Sequence, residues 1–468
     1  MVFASLEFLL LFFPLFLAVY ALSPRGGRNA VLLGASWVFY GWWSPVFLLL
    51  FIGLTVLTWL GGLGLAAAAA NRRAARSLLA ALIVVLAGTL CWYKYANLLA
   101  DTLNAALGWA GAAPLPWQRV ALPIGLSFIV LQAISYLVDV YRGTVAAQRS
   151  FVDFAAYKAM FGQLIAGPSI RYAWVQHDIA ARRFGWDGIA AGARRFMIGM
   201  SMKVLIADTL APVADAVFAQ AAPSLADAWI GCGAYTLQLF FDFAGYSAMA
   251  IGIGQMLGFH FPENFHHPYL ARSIQDFWRR WHLSLSSWIR DYLYIPLGGN
   301  RGGRRATYRN LLLTMAIAGL WHGSDSWNFV LWGTAHGAAL CLARAWPSDR
   351  APVPPWLARA ATLVFVMLAW TLFRAPDLQV ALRMYAGQFG LQGLALGDVL
   401  HATLRPAHGV AAALGVFCVL WPTVGARLAA RAGRRLAAVA VLWPLPAFLA
   451  SFALIASRGA VPFLYFQF

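Results

Sequence analysis

The chain has 468 residues, 61% of them hydrophobic and only 11% charged, with a formal net charge of +18. Soluble domains are about a quarter charged, so this composition excludes a water-soluble globular protein. The positive charge does not point to nucleic acid, because in a membrane protein Lys and Arg gather in cytoplasmic loops.

Apolar runs of about 20 residues, the length that crosses the hydrocarbon core, recur from end to end. The series opens with EFLLLFFPLFLAVYAL (7–22), SPVFLLLFIGLTVLTWLGGLGL (44–65) and SLLAALIVVLAGTLCWYKYA (77–96). Barrel strands would alternate over roughly ten residues, and these runs do not. The expected fold is therefore an all-α polytopic membrane protein, with about 11–13 transmembrane helices at this span length. The first run lacks a basic flank and a small-residue cleavage site, so it reads as a retained helix. Basic clusters at 23–28, 71–76, 181–184, 192–196, 299–305 and 425–435 fall on one side of the membrane. Segments 99–117 and 216–227, nearly free of Lys and Arg, fall on the other, which places the N-terminus outside. Residues 1–145 read as N-terminal helices, 146–346 as a core with re-entrant and amphipathic helices, and 347–468 as C-terminal helices of one membrane domain.

In YKAMFGQLIAGPSIRY (157–172), Gly167-Pro168 breaks a helix and predicts a re-entrant or interfacial element. Non-helical backbone at membrane depth survives only where protein or a water-filled cavity covers it. Residues 259–310 hold eight arginines against three acids, Glu263, Asp276 and Asp291. Helical spacing in FWRRWHLSLSSWIRDYLYIPLGG (277–299) puts Trp278, Trp281, Leu285, Trp288 and Tyr292 on one face. Arg279, Arg280 and Arg290 lie off that face, the pattern of an interfacial helix.

Of nine histidines, His260, His266 and His267 sit in a polar loop and read as solvated or carbonyl-bonded. His282, His322 and His336 lie in or beside apolar segments, where an ionisable residue is a functional-site hypothesis by default. WGTAHGAAL sets His336 among small residues suited to close helix packing. The spacings between these three match no metal-ligand motif. Four single cysteines, at 91, 232, 341 and 418, form no CxxC pair. GIGQMLG (252–258) lacks the dinucleotide fingerprint, no GxSxG elbow occurs, and there is no Walker motif. Broken helices and a basic mouth would also suit a transporter or channel for an anion or precursor. Transporters, however, pair unusual segments in both halves, and neither RRWH nor LWHG has a second copy.

Several motifs in order resemble the membrane-bound O-acyltransferase family, and within it the branch of bacterial alginate O-acetylation. They are the opening MVF with its Phe/Leu run, WVFYGWW (37–43), KYAN (94–97), LPIGLSF (122–128), ISYLVDVYRG (134–143), LIAGP (164–168), IADTLA (206–211) and FDFAGYS (241–247). The series continues through FWRRWHLSLSSWIRDYLYIPLGGNRGG (277–303), GLWHG (319–323), LFRAP (372–376) and PFLYFQF (462–468). Ala244 and Ala248, and the pair Gln132-Ala133, depart from the more polar residues of alginate relatives.

The resemblance implies a ring of transmembrane helices around a thinned centre, crossed by a tunnel. It implies a catalytic His322, with His282 as the second characteristic histidine. The acetyl donor would be cytoplasmic acetyl-CoA, as substrate rather than resident cofactor, and no metal is implied. A separate periplasmic or membrane-anchored acetyltransferase of serine-hydrolase type would place acetyl groups on an exported polysaccharide. The protein would thus sit in the bacterial inner membrane and contact the lipid bilayer but no nucleic acid. Acetyl-CoA is polyanionic, so Arg279, Arg280 and Arg290, with Arg301, Arg304 and Arg305 nearby, suit its phosphates. Trp281, Trp321 and Trp327 are candidate donor-side or channel walls, and Gly319 and Gly323 permit close approach to His322.

Overall fold

The computed structural model describes residues 1–164, 167–346 and 353–464, without the side chains of 424 and 426–440. Ile165 and Ala166 of LIAGP, residues 465–468 of the terminal motif, the 347 boundary and the arginine side chains of 425–435 lie outside that description. The described residues are helical, apart from turns and a single isolated bridge. Six helical stretches are long and apolar enough to cross a membrane: Pro45–Ala67, Arg72–Trp109, Trp186–Phe218, Leu225–Met256, Pro355–Arg374 and Pro406–Thr423. Glu7–Leu22 and Pro444–Arg458 are apolar but shorter.

The chain forms two compact units. The first comprises Met1–Arg195 and Met249–Pro262. It holds α1 (Phe13–Leu22), α2 (Arg28–Gly41), α3 (Pro45–Ala67), α4 (Arg72–Trp109), α5 (Leu126–Arg142), α6 (Phe151–Ala159), α7 (Phe161–Leu164), α8 (Tyr172–Ala181) and most of α9 (Trp186–Ser201). Asn71 caps α4, its side chain accepting from Ala74 N–H at 3.1 Å. That helix runs about 57 Å at the standard rise, so residues 99–109, expected in a loop, are helical. Beyond α6 the backbone turns irregular, as Gly167-Pro168 predicts, and Gly167 takes φ 133°. Its described residues are buried, and side chains bond several of the backbone carbonyls there and on neighbouring α5. Tyr157 Oη donates to Ile170 O at 3.0 Å, Gln163 Nε2 to Tyr157 O at 2.6 Å, and Lys158 Nζ to Ile129 O at 2.6 Å.

The second unit comprises Phe196–Ala248 and Glu263–Phe468. A π-helical turn at Met202–Ala207 leads into α10 (Asp208–Phe218). Then come α11 (Leu225–Met256), α12 (Ile274–Trp278), α13 (Leu283–Ile289), α14 (Gly303–His322), α15 (Asn328–Ala345), α16 (Pro355–Arg374), α17 (Leu378–Gln388), α18 (Asp398–Thr403), α19 (Pro406–Leu442) and α20 (Pro444–Arg458). The continuous amphipathic helix expected at 277–299 is instead interrupted. α12 stops at Trp278, and His282 adopts a left-handed φ of 44° before α13 begins. The expected apolar face is still the inward one: Trp281, Leu285 and Trp288 are buried.

α14 and α15 pack backbone to backbone. A Cβ at Gly319 would run into Phe329 O and Gly333 Cα, and one at Gly333 into Met315 O. Gly319 therefore admits the neighbouring helix, and a Cβ at Gly323 would strike the Phe329 ring. Elsewhere in the unit, Lys203 joins Asp208 and Asp242 in a buried ionic triad, with its Nζ 3.2 Å from Asp242 Oδ1. Asp242 Oδ2 also accepts the Leu464 N–H at 2.8 Å, which ties Leu464 to α11.

Candidate functional site

His322 is the last residue of α14, and the chain leaves the helix in extended backbone at Gly323. The imidazole is 5% exposed. Trp321, Trp332 and Phe373 stand edge-on around it, with ring centroids at 4.9, 5.3 and 5.4 Å. Trp332 comes from α15, and Phe373 from the LFRAP segment at the end of α16. Asn328 fixes that segment to the start of α15, donating from Nδ2 to Ala375 O at 3.0 Å. Arg374 adds an ion pair to Asp215 at 2.6 Å.

His282 is buried on the turn between α12 and α13. Phe243 of α11 meets its ring edge-on at 4.6 Å, and Phe265 lies 6.4 Å away in stacked orientation. Its Nδ1 is 3.1 Å from Asn264 Oδ1. His267 and His282 are the two non-glycine residues with positive φ among the described residues. Histidine tolerates that region better than bulky or β-branched residues do, and strain of this kind collects at functional sites.

One aromatic wall joins the two histidines. From His282 it passes through Phe265 to Trp281 (5.1 Å), then to Trp370 (5.1 Å) and Trp332 (5.8 Å, stacked), which faces His322. His336, fully buried, is set in the same wall against Trp278, Trp332 and Phe365 at 5.2, 4.9 and 5.2 Å. Neither of its ring nitrogens has a hydrogen-bond partner among the described residues. An imidazole held that way packs as a neutral ring.

The other sequence candidates divide by environment. Trp321 is half-buried beside His322, whereas Trp281 is interior, in the middle of the wall. Trp327 is 45% exposed. Arg279 is exposed. Arg280 pairs with Asp276 and Arg290 with Asp291, each at 2.7 Å. The Asp276 carboxyl is held below the ordinary carboxylate range. Partial burial opposes this, but hydrogen bonds from Arg280 and the Arg272 N–H, with the charges of Arg280 and Arg279, outweigh it. Among the described residues no group of three or more His, Cys, Asp or Glu could hold a metal ion.

Sequence reasoning missed Asn264, Phe243, Trp332, Trp370 and Phe373. The loop GFHFPENFHHPY looks polar in sequence, yet its Asn264 is fully buried. An asparagine beside phenylalanine in a loop ahead of RRWH was the available signal. Phe243 and Phe373 lie within the FDFAGYS and LFRAP motifs, whereas Trp332 and Trp370 carried no signal, because a tryptophan at helical spacing is most often core.

The model of the membrane-bound O-acyltransferase family, MBOAT, matches residues 125–382, which include both histidines. The chain is 50% identical over 406 residues to "Probable alginate O-acetylase AlgI" of Azotobacter vinelandii, covering 86% of this chain and 81% of that protein. It is 35% identical over 412 residues to a peptidoglycan O-acetyltransferase of Helicobacter pylori, covering 81% and 77%. A teichoic acid D-alanyltransferase of Bacillus subtilis is similar at 26% over 238 residues, 46% of this chain and 58% of that one. These relatives are acyl-transfer proteins, which decides between the enzyme and the transporter. The chain belongs to the membrane-bound O-acyltransferase family and is a multi-pass membrane acyltransferase.

Proposed function

We propose that this acyltransferase takes acetyl groups from cytoplasmic acetyl-CoA and passes them across the bacterial inner membrane for O-acetylation of an exported polysaccharide of the alginate type. The observation that carries the reading is the aromatic wall that links His322 to His282 through four intervening rings inside the family-matched segment. The names of the Azotobacter and Helicobacter relatives, which act on alginate and peptidoglycan, support a sugar hydroxyl as the eventual acceptor.

In the transfer, the thioester C–S bond breaks and a C–O bond forms to an acceptor hydroxyl. The hydroxyl proton must go to a base, and the CoA sulfur leaves as a thiolate that is protonated in turn. His322 handles the acetyl group and His282 serves as the second imidazole. Neutral imidazole is suited to proton transfer near neutral pH. The buried rings exclude water, which protects the thioester from hydrolysis. Arg279, exposed at the end of α12, with Arg280 and Arg290 beyond it, attracts the CoA phosphates. Trp321 and Trp281 line the donor side. A separate periplasmic or membrane-anchored acetyltransferase of serine-hydrolase type completes the delivery to the polymer.

The test is His322→Ala in cells that export the polymer, with membrane level and thermal unfolding as folding controls. The expected result is a normally inserted protein and a polymer stripped of acetate. Wild-type acetate content in that variant would remove His322 from the mechanism.

A further inference from the structure

We propose that Asn264 is a positioning residue: it locks His282 in the Nδ1–H tautomer and so presents the Nε2 lone pair as a proton acceptor during acetyl transfer. The inference rests on the reading of His282 as a working imidazole.

The Ser284 backbone N–H can only donate, and it lies 3.3 Å from the Asn264 side-chain atom assigned as Oδ1. Turning the amide over would set an NH2 against that N–H, so the oxygen assignment holds. The Ser284 hydroxyl donates to the same oxygen at 2.8 Å. An amide oxygen only accepts. His282 Nδ1, 3.1 Å away, must therefore carry the proton of their hydrogen bond. A neutral imidazole has one N–H, which leaves the lone pair on Nε2. That atom is buried and makes no hydrogen bond within the described residues. Ser284 Oγ lies 3.5 Å from Nδ1 and gives its own proton to Asn264, so it does not compete.

The backbone makes this arrangement stiff. Asn264 O accepts from Leu283 N–H at 2.9 Å, and Arg280 O accepts from His266 N–H at 2.9 Å. These two bonds clamp the 264–266 loop onto the left-handed turn at His282. Phe243 and Phe265 limit the ring's rotation. The outer partner of an acid–base imidazole fixes which nitrogen reacts, and losing it presents the wrong tautomer.

The experiment compares full-length Asn264→Leu, Asn264→Asp and His282→Ala in membranes, reading acetyl-CoA-dependent turnover and thermal unfolding. Leucine matches the volume and suits an aromatic pocket but accepts nothing, so turnover should fall on the order of a hundredfold with an unchanged KM for acetyl-CoA. Aspartate keeps the acceptor oxygen and should hold several-fold more turnover than leucine, although burying a carboxylate lowers its stability. Activity and stability thus rank the two variants in opposite order, which a packing role cannot produce. Wild-type turnover in Asn264→Leu, or activity that simply tracks stability, overturns the assignment. Should Asn264→Leu fail to accumulate, Asn264→Ala takes its place with the same expectation. Full activity in His282→Ala would instead overturn the reading of His282 on which the inference stands.

Discussion

Replacing Lys203 with methionine should damage this protein more than most single changes in it. The ammonium lies between two carboxylates, and the side chains of Lys203, Asp208 and Asp242 are only 1%, 6% and 3% exposed. Removing one member of a buried ionic group leaves the others uncompensated, at a cost of about 3–5 kcal/mol. Here two carboxylates are stranded, so the upper half of that range applies. For a unit of this size, the thermal midpoint should drop on the order of 10 °C. The loss also reaches the site: Asp242 precedes Phe243, which abuts His282, and it holds Leu464, whose neighbour Phe463 packs on Phe243 and Tyr246 at 5.5 and 4.6 Å. The assay is thermal unfolding of detergent-solubilised protein followed by tryptophan fluorescence, with the triple variant Lys203→Met, Asp208→Asn, Asp242→Asn alongside. The triple variant should regain much of the loss, because it buries no charge. A Lys203→Met protein as stable as wild type, or a triple variant no better than the single, would refute the electrostatic account.

Three further outcomes follow from the geometry. Gly319→Leu should push α15 away from α14 and cost about 1–3 kcal/mol or more, with acetylation lost at modest expression; near-wild-type turnover would contradict the backbone contact with Phe329 and Gly333. Arg279→Glu should raise the KM for acetyl-CoA several-fold at low salt and progressively less as salt screens the charge, while kcat stays close to wild type in steady-state assays. The lowered Asp276 pKa makes a pH prediction, since its stabilising contribution is complete above the unfolded value near pH 4 and fades as pH falls through the folded one. Acid titration of unfolding should therefore show an increment in the wild type that Asp276→Asn lacks.

The helical membrane character was legible because apolar composition and run length act locally. GLWHG and RRWH were legible as motifs, and the structure houses both histidines in one wall. The break at His282 was not legible: a single left-handed residue leaves the three-to-four-residue spacing of Trp278, Trp281 and Leu285 almost intact. Asn264 escaped because a polar loop residue looks the same in sequence whether it meets water or an imidazole. Lys203 and Asp242 could have been flagged by their place in apolar stretches, but their pairing across 39 positions is a tertiary fact. Six helices among the described residues are long and apolar enough to cross a membrane, and the irregular backbone after α7 is held by side-chain hydrogen bonds that its Gly-Pro signal does not reveal.

The glycine contact between α14 and α15 also bears on how the site comes into being during synthesis. Two helices joined by the short 323–327 connection, touching through Gly319 and Gly333, can pair as a hairpin as soon as both have been made. That hairpin already contains His322, Trp332 and His336. Trp370 and Phe373, which close the wall, emerge from the ribosome only with α16. For an interval in every molecule's life, the imidazole has only Trp321 and Trp332 against it. The order of synthesis therefore leaves the housing of the proposed catalytic histidine incomplete until its last two aromatic rings have been made.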